Sequence, residues 1–245
     1  MGDRNNSFFD IDKIEQNYRL VMENFERINR QTNCSRDVFG EEIAGNLLCG
    51  YDWINRRLAK NRHEFLSLDE LLEINMIVHL GNAPSKRAEY GAFVNETGDK
   101  LCKYAPSLLK WYRRHEKKAE DPYKIAAGLY VRVLARPQLY LDGNHRTGSL
   151  IANCYLLMKG ENPFIMTPHN AVEFLDLASD IKFKKDDIGS KFKRAVGWRD
   201  ELARMRAFLK INALPYTTST PSVGPPRRPS RPCSVVADLR AGMGD

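Results

Sequence analysis

Apolar side chains recur at helical spacing along most of the chain, the pattern of helices that each bury one face. Ile14, Tyr18, Val21, Phe25 and Ile28 predict a helix over residues 10 to 32, with Asp10 or Asp12 as its cap. Asn33 and Cys34 break it. Ser35 or Asp37 restarts a helix to about Leu58, on the face Ile43, Leu47, Leu48, Tyr51 and Ile54. The pair reads as an α-hairpin packing on the core. Ser67-Leu68-Asp69-Glu70 is a capping box that opens a helix through Leu80, and Gly81 closes it. His79 near that end reads as structural. Pro106 starts another helix, and Asp121-Pro122 caps and starts one through Ala135 that is apolar around most of its circumference. A second apolar helix runs from about Asn144 to Lys159, with Gly160 as its stop. Thr167-Pro168 begins the next, and residues 199 to 211 form a last amphipathic helix.

Residues 82 to 105 change character. Glu89 to Val94 and Lys100 to Tyr104 are short strand-like runs, and Asn95-Glu96-Thr97-Gly98-Asp99 between them has turn chemistry. The expected fold is therefore mostly α, a helical bundle with one small β-hairpin. From Ala213 onward the chain is rich in Pro, Ser, Thr and Arg and cannot bury enough apolar surface to order itself. The expected organisation is an N-terminal helical segment over 1–64 packed on the core, a main domain over 65–212, and a disordered tail over 213–245. Within that tail, Pro226 to Pro232 has the composition of an extended ligand for an aromatic groove, though a passive tail is the default.

Composition narrows the function classes. The chain has 245 residues and a formal charge of +7, so anionic partners are favoured. No basic helix with interleaved aromatics and no nucleic-acid motif is visible, so nucleic acid is not an expected partner. No stretch approaches a membrane span, and the polar N-terminus has no secretory apolar segment. The 5 cysteines are scattered, without metal spacing or a disulfide framework. A cytoplasmic setting is expected, with secretion by a signal-less route left open.

Chemistry concentrates between the two apolar helices, in Gln138-Leu139-Tyr140-Leu141-Asp142-Gly143-Asn144-His145-Arg146-Thr147-Gly148-Ser149. Asp142-Gly143-Asn144 is a turn that opens a helix, which presents free N–H groups and the positive end of a helix dipole to an anion. Arg146 in the first turn can fork onto phosphate, and Asp142 is a hard oxygen ligand suited to Mg²⁺. The residues thus read as a phosphate or nucleotide pocket.

This stretch resembles the signature of the Fic/Doc (Fido) family, His-Pro-Phe-x-Asp/Glu-Gly-Asn-Gly-Arg-x-x-Arg. Asp142, Gly143, Asn144 and Arg146 match it, and Tyr140 replaces the Phe conservatively. Gln138, Leu139, His145 and Ser149 stand where the family has its catalytic His, its Pro, its second Gly and its last Arg. The resemblance covers roughly residues 65 to 180. It implies a Fic-like helical bundle whose β-hairpin is a flap over the pocket, with Lys86, Arg87 and Tyr90 near the anion or an extended target. It also implies Mg²⁺ on Asp142 with a nucleotide or nucleotide-linked donor, ATP foremost. Gly143 and Asn144 would form the anion nest, and Arg146 would contact phosphate. Most members transfer AMP to a protein hydroxyl; relatives transfer other phosphate-containing groups.

The departures bear on mechanism. Gln138 occupies the catalytic position, but an amide has no useful basicity. His145 is the other catalytic candidate, as a relocated base, a second phosphate contact or a group that narrows the pocket, and its ordinary titration range suits the first two. Ser149 removes one phosphate-binding charge. Gly40 to Asn46 looks like the family's inhibitory helix with Gly and Ala at its two key positions; chance similarity stays open. Three readings remain: an active Fic-type transferase with an altered base or donor, a catalytically silent Fic-fold protein that binds an anion or partner, and an unrelated helical protein whose loop is only a tight turn.

Overall fold

A computed structural model describes residues 8–60, 64–183 and 198–218. Among these residues the chain is mostly α, with one two-stranded antiparallel sheet. Helix α1 spans Ile11–Gln31 and starts at Asp10, whose carboxylate accepts from the Lys13 N–H at 3.1 Å. Its buried stripe is Ile14, Tyr18, Val21, Phe25 and Ile28. Helix α2, Glu41–Ala59, begins later than the expected restart at 35 or 37. The link ahead of it is held extended by Asn29, which accepts from the Arg36 N–H at 2.8 Å and donates to the Arg36 carbonyl at 3.1 Å. Phe39 then plugs into the core.

Helix α3, Leu68–Leu80, has the capping box at Ser67 and Glu70 and stops at Gly81, whose φ is 68°. Glu70 also meets the buried Arg57 at 2.9 Å, which ties the start of α3 to the end of α2. A short helix α4, Pro84–Glu89, leads into α5, Gly91–Lys117.

Helix α5 overturns the expected hairpin. Glu89 closes α4, and from Gly91 onward both strand-like runs and the turn between them lie in one continuous helix, with Pro106 inside it rather than at its start. The buried residues Thr97, Leu101, Ala105 and Leu108 fall on one helical stripe. Tertiary burial along that stripe overrides the local turn chemistry of residues 95–99. The small sheet is elsewhere: β1, Phe8–Phe9, pairs with β2, Thr217–Thr218. Asn55 on α2 clamps the Phe9 N–H at 2.8 Å and the Phe9 carbonyl at 2.9 Å. Residues 213–218, placed with the tail by composition, pair with the core through β2 and the Phe164–Ala213 bridge; the segment Pro226 to Pro232 lies outside the described residues.

Helices α6, Pro122–Leu134, and α7, Asn144–Met158, form the central pair and are buried around most of their circumference. They approach closely because Gly148 faces Tyr130 and Val133, where a Cβ would already lie 3.3 Å from both. Helix α8, Ala171–Phe183, and helix α9, Arg199–Ile211, cover one side of this pair. One apolar cluster joins residues from α1, α2, α3 and α5 through α9. The loop from Arg136 to Gly143 emerges at one end of the central pair. No described helix is long and apolar enough to cross a membrane.

Candidate functional site

The loop before α7 is built from backbone clamps. Asn144 and Asn75, reaching from α3, both hold it. Asn75 Nδ2 donates to the Asp142 carbonyl at 3.0 Å and to Thr147 Oγ1 at 2.9 Å. Tyr140 is fully buried, and its hydroxyl donates to the Leu71 carbonyl at 3.0 Å. Lys100 on α5 donates to the Tyr140 carbonyl at 2.7 Å. Gly143 then turns the chain at φ 71°, a left-handed conformation that glycine adopts without strain. The first bond at the head of α7 runs from the Thr147 N–H to the Gly143 carbonyl at 2.9 Å. The N–H groups of residues 144–146 lie ahead of that bond, at the positive end of the dipole.

A cavity of about 230 Å³ opens beside this helix end. Its lining includes Gln138, Asp142, Gly143, Asn144, His145, Arg146 and Ser149, so the structure gathers the candidate residues of the loop around one space. Arg36, Asp37 and Lys182 also line it, and the sequence pattern had pointed to none of them. Phe25, Phe39 and Phe174 are among its apolar walls, and Ile43 and Leu47 bring the start of α2 against it.

Individual side chains have distinct surroundings. Gln138 makes no hydrogen bond among the described residues, so its amide is free. The Asn144 side chain makes one donor and one acceptor bond to the Tyr140 backbone, and its own N–H lies at the open start of α7. Arg146 donates to the Val78 carbonyl at 3.3 Å, and its guanidinium has no ion pair among the described residues. Ser149 meets the Tyr51 hydroxyl, which belongs to a buried group with Tyr18 and Asn153. The Asp142 carboxylate is 65% exposed and accessible.

His145 departs from expectation. Its ring meets Tyr130 and Phe174 edge-on, and its Nε2 is buried without a hydrogen-bond partner. Burial, with the charges of Arg36 and Arg146 nearby, pushes its pKa down to about 3. The imidazole is therefore neutral at pH 7, outside the titration range that a relocated base or a charged phosphate contact requires.

His79 is the residue that sequence reading under-weighted. Its Nδ1 lies 3.6 Å from Asp142 Oδ2, and its ring stacks on Phe93 at 4.6 Å. Burial lowers its pKa; Asp142 opposes that shift and Arg146 adds to it. The only signal in the sequence was a histidine in the last turn of α3, which says nothing of a loop much later in the chain.

The expected flap residues do not join the site. Lys86 on α4 pairs with Glu42 at 2.6 Å, and Arg87 forks onto Glu73 at 2.8 and 2.9 Å. Tyr90, between α4 and α5, is exposed. None of the three lines the cavity. With the hairpin replaced by α5, no free strand edge exists there to pair with a target.

Comparison with known proteins finds similarity over part of the chain. No family model matches the chain. Half of the chain is similar to protein adenylyltransferase fic-1. Against that protein from Caenorhabditis briggsae it is 28% identical over 131 residues, which make up 50% of this chain and 25% of the relative. The Caenorhabditis elegans protein of the same name is 27% identical over the same shares. The chain thus spans about a quarter of the length of these relatives. Comparison with the crystal structure of a Fic domain-containing signaling protein from Bacteroides thetaiotaomicron gives a TM-score of 0.46 at 14% identity, over 83% of this chain and 93% of that one.

Proposed function

We propose that the cavity is the site of a Fic-type transferase that moves a nucleotidyl or other phosphate-containing group to a protein hydroxyl. The observation that carries this reading is the convergence of Asp142, Arg146 and the open start of α7 on one cavity. The N–H groups at the helix start and the Arg146 fork would hold the phosphates of a nucleotide donor, ATP foremost. No cluster of three or more His, Cys, Asp or Glu side chains able to hold a metal ion occurs among the described residues. Asp142 alone fits Mg²⁺, an ion that keeps several waters and commonly reaches the protein through one carboxylate plus substrate phosphates. Bound there, the ion would neutralise charge on the phosphates.

Neither catalytic candidate of the loop supplies an imidazole base. Gln138 lacks basicity, and His145 is held neutral with a pKa of about 3. Loss of a positioned base slows a reaction by about 10²–10⁴. Phosphoryl transfer depends mostly on positioning and charge stabilisation, which the loop retains. We therefore place the chain's chemistry in a slow transferase with an altered base. The second reading, a silent anion- or partner-binding module, is favoured by the same Gln138.

One experiment separates them. The full chain is heated with ATP, GTP, UTP, CDP-choline or nucleotide-sugars, with and without Mg²⁺, and each mixture is examined by intact-protein mass spectrometry. A ligand that binds only the folded state raises the melting temperature. A Mg²⁺-dependent rise lost in Asp142→Ala and Arg146→Ala, with a covalent adduct on the chain or on an added protein extract, supports the transferase. The same rise with no adduct selects the binding module. A folded chain that responds to no ligand overturns both.

A further inference from the structure

Arg36 belongs to neither the loop nor a helix. It lies in the extended link between α1 and α2, where Asn29 holds its backbone N–H and carbonyl. Its side chain is also fixed: Nη2 donates to the Leu175 carbonyl at 2.5 Å and to Ser179 on α8. That anchoring leaves Nε buried with no partner. No carboxylate pairs with Arg36 among the described residues, although it lines the cavity.

Lys182, near the end of α8, lines the same cavity and has no hydrogen bond or ion pair among the described residues. With Arg146, three cations without ion pairs face one space, against the carboxylates of Asp37 and Asp142. Elsewhere Arg57, Arg87, Arg204 and Arg206 each meet a carboxylate, and Arg132 lies over the Trp111 ring. Cations gathered without partners repel one another and lose hydration, so the arrangement is costly unless an anion enters.

We propose that Arg36 and Lys182 bind the anionic group of the ligand together with Arg146, supplying from two other elements the charge that Ser149 does not provide. This rests on the phosphate-site reading above and deepens it. Arg36 is preorganised, so its free Nε edge needs little ordering to meet an oxygen. The unpartnered His145 Nε2 is a further polar atom at the same wall. At about 230 Å³ the cavity is smaller than the ~300–1,000 Å³ that encloses a drug-sized ligand. It therefore suits the phosphate chain of a donor rather than the whole nucleotide.

The test is calorimetric titration of the full chain with pyrophosphate and with inorganic phosphate, at fixed low ionic strength, with and without Mg²⁺. Arg36→Gln, Lys182→Met and Arg146→Gln are compared with Arg19→Gln, which removes an exposed α1 cation paired with Glu15. Wild type and Arg19→Gln should bind pyrophosphate alike. Arg36→Gln and Lys182→Met should each weaken it by about tenfold or more, the usual effect of losing a charged hydrogen bond. Wild-type affinity in both variants, with weakening only in Arg146→Gln, overturns the clamp and leaves the loop site standing. A folded wild type that binds neither anion overturns the phosphate-site reading and this inference with it. Should Arg36→Gln fail to fold, Lys182→Met decides, since Lys182 makes only a contact with the neighbouring Phe183 ring: tenfold weakening supports the clamp and wild-type affinity overturns it.

Discussion

Asn144 holds the backbone of Tyr140 at both ends: its Oδ1 accepts from the Tyr140 N–H at 2.8 Å, and its Nδ2 donates to the Tyr140 carbonyl at 3.0 Å. Residue 144 starts α7, so the helix and the loop that precedes it are locked by one side chain. The lock sits in the protein interior, where a polar group left unpaired is expensive. Lys100 shares the Tyr140 carbonyl, but no other described group accepts from the Tyr140 N–H. Asn144→Ala should therefore lower unfolding stability by about 2–4 kcal/mol. Urea unfolding measures this, and a loss under about 0.5 kcal/mol would show that water substitutes for the amide.

Gly143 and Gly160 form a matched pair for testing the turn. Both adopt positive φ, 71° and 74°. A Cβ at Gly160 would meet open space, whereas one at Gly143 would lie 3.2 Å from Asn75 Nδ2. Alanine at either site carries the left-handed penalty of about 1–2 kcal/mol. Gly143→Ala should cost more than Gly160→Ala, because Asn75 must also give way and weaken its bonds to Asp142 and Thr147. Any ligand response should be lost in Gly143→Ala and kept in Gly160→Ala. Equal stability losses and equal binding would refute the steric argument.

How far the sequence could be read depends on where the deciding contacts lie. The capping box at Ser67 and Glu70 is local, and so was legible. So were α6, with its Asp121-Pro122 start, and the Asp142-Gly143-Asn144 turn at the head of α7. The hairpin failed because residues 95–99 carry turn chemistry, while the burial of Thr97 and Leu101 is decided by neighbours distant in sequence. Gly98, read as a turn residue, instead lies beside Leu72 of α3, where a Cβ would be 3.7 Å from its side chain. Arg36, Lys182 and His79 were invisible as site residues for the same reason. His79 reaches Asp142 across the fold, and Arg36 and Lys182 line the same cavity, each from a segment with no motif of its own.

Pro106 should make α5 less stable than its packing allows. It is exposed and interior to the helix, so it supplies no N–H to the turn before it. Proline is about 3 kcal/mol less favourable than alanine in a helix interior, and stiffening of the unfolded chain returns about 0.4–1 kcal/mol. Pro106→Ala should raise stability by about 2–2.5 kcal/mol. A fall in melting temperature would mean that a bend at Pro106 is needed for α5 to follow the core.

Gly128 on α6 is a packing limit. A Cβ there would stand 2.0 Å from Trp111 Cη2, far inside contact distance. Gly128→Ala should destabilise by about 1–3 kcal/mol through overpacking, because the large Trp111 ring would have to move. Adding Trp111→Phe should recover part of the loss in a double-mutant cycle. Strict additivity of the two changes would show that α5 moves aside as a body instead.

His145 should make stability depend on acid. Its folded pKa is about 3 and its ordinary value 6.5, so between these limits the unfolded chain takes up a proton that the folded chain refuses. The contribution is fully present above pH 6.5 and is lost as pH falls towards 3, at about 1.4 kcal/mol per pH unit once the unfolded imidazole is charged. The depressed pKa of His79 acts in the same direction, and the carboxylates titrate too, so the useful quantity is a difference between variants. His145→Phe keeps a ring against Tyr130 and Phe174 while removing the titration. Its stability should fall less between pH 7 and pH 5 than wild type, by about 1–2 kcal/mol. Parallel pH profiles would show that His145 takes up a proton in the folded chain, and would return it to consideration as the base that Gln138 cannot be.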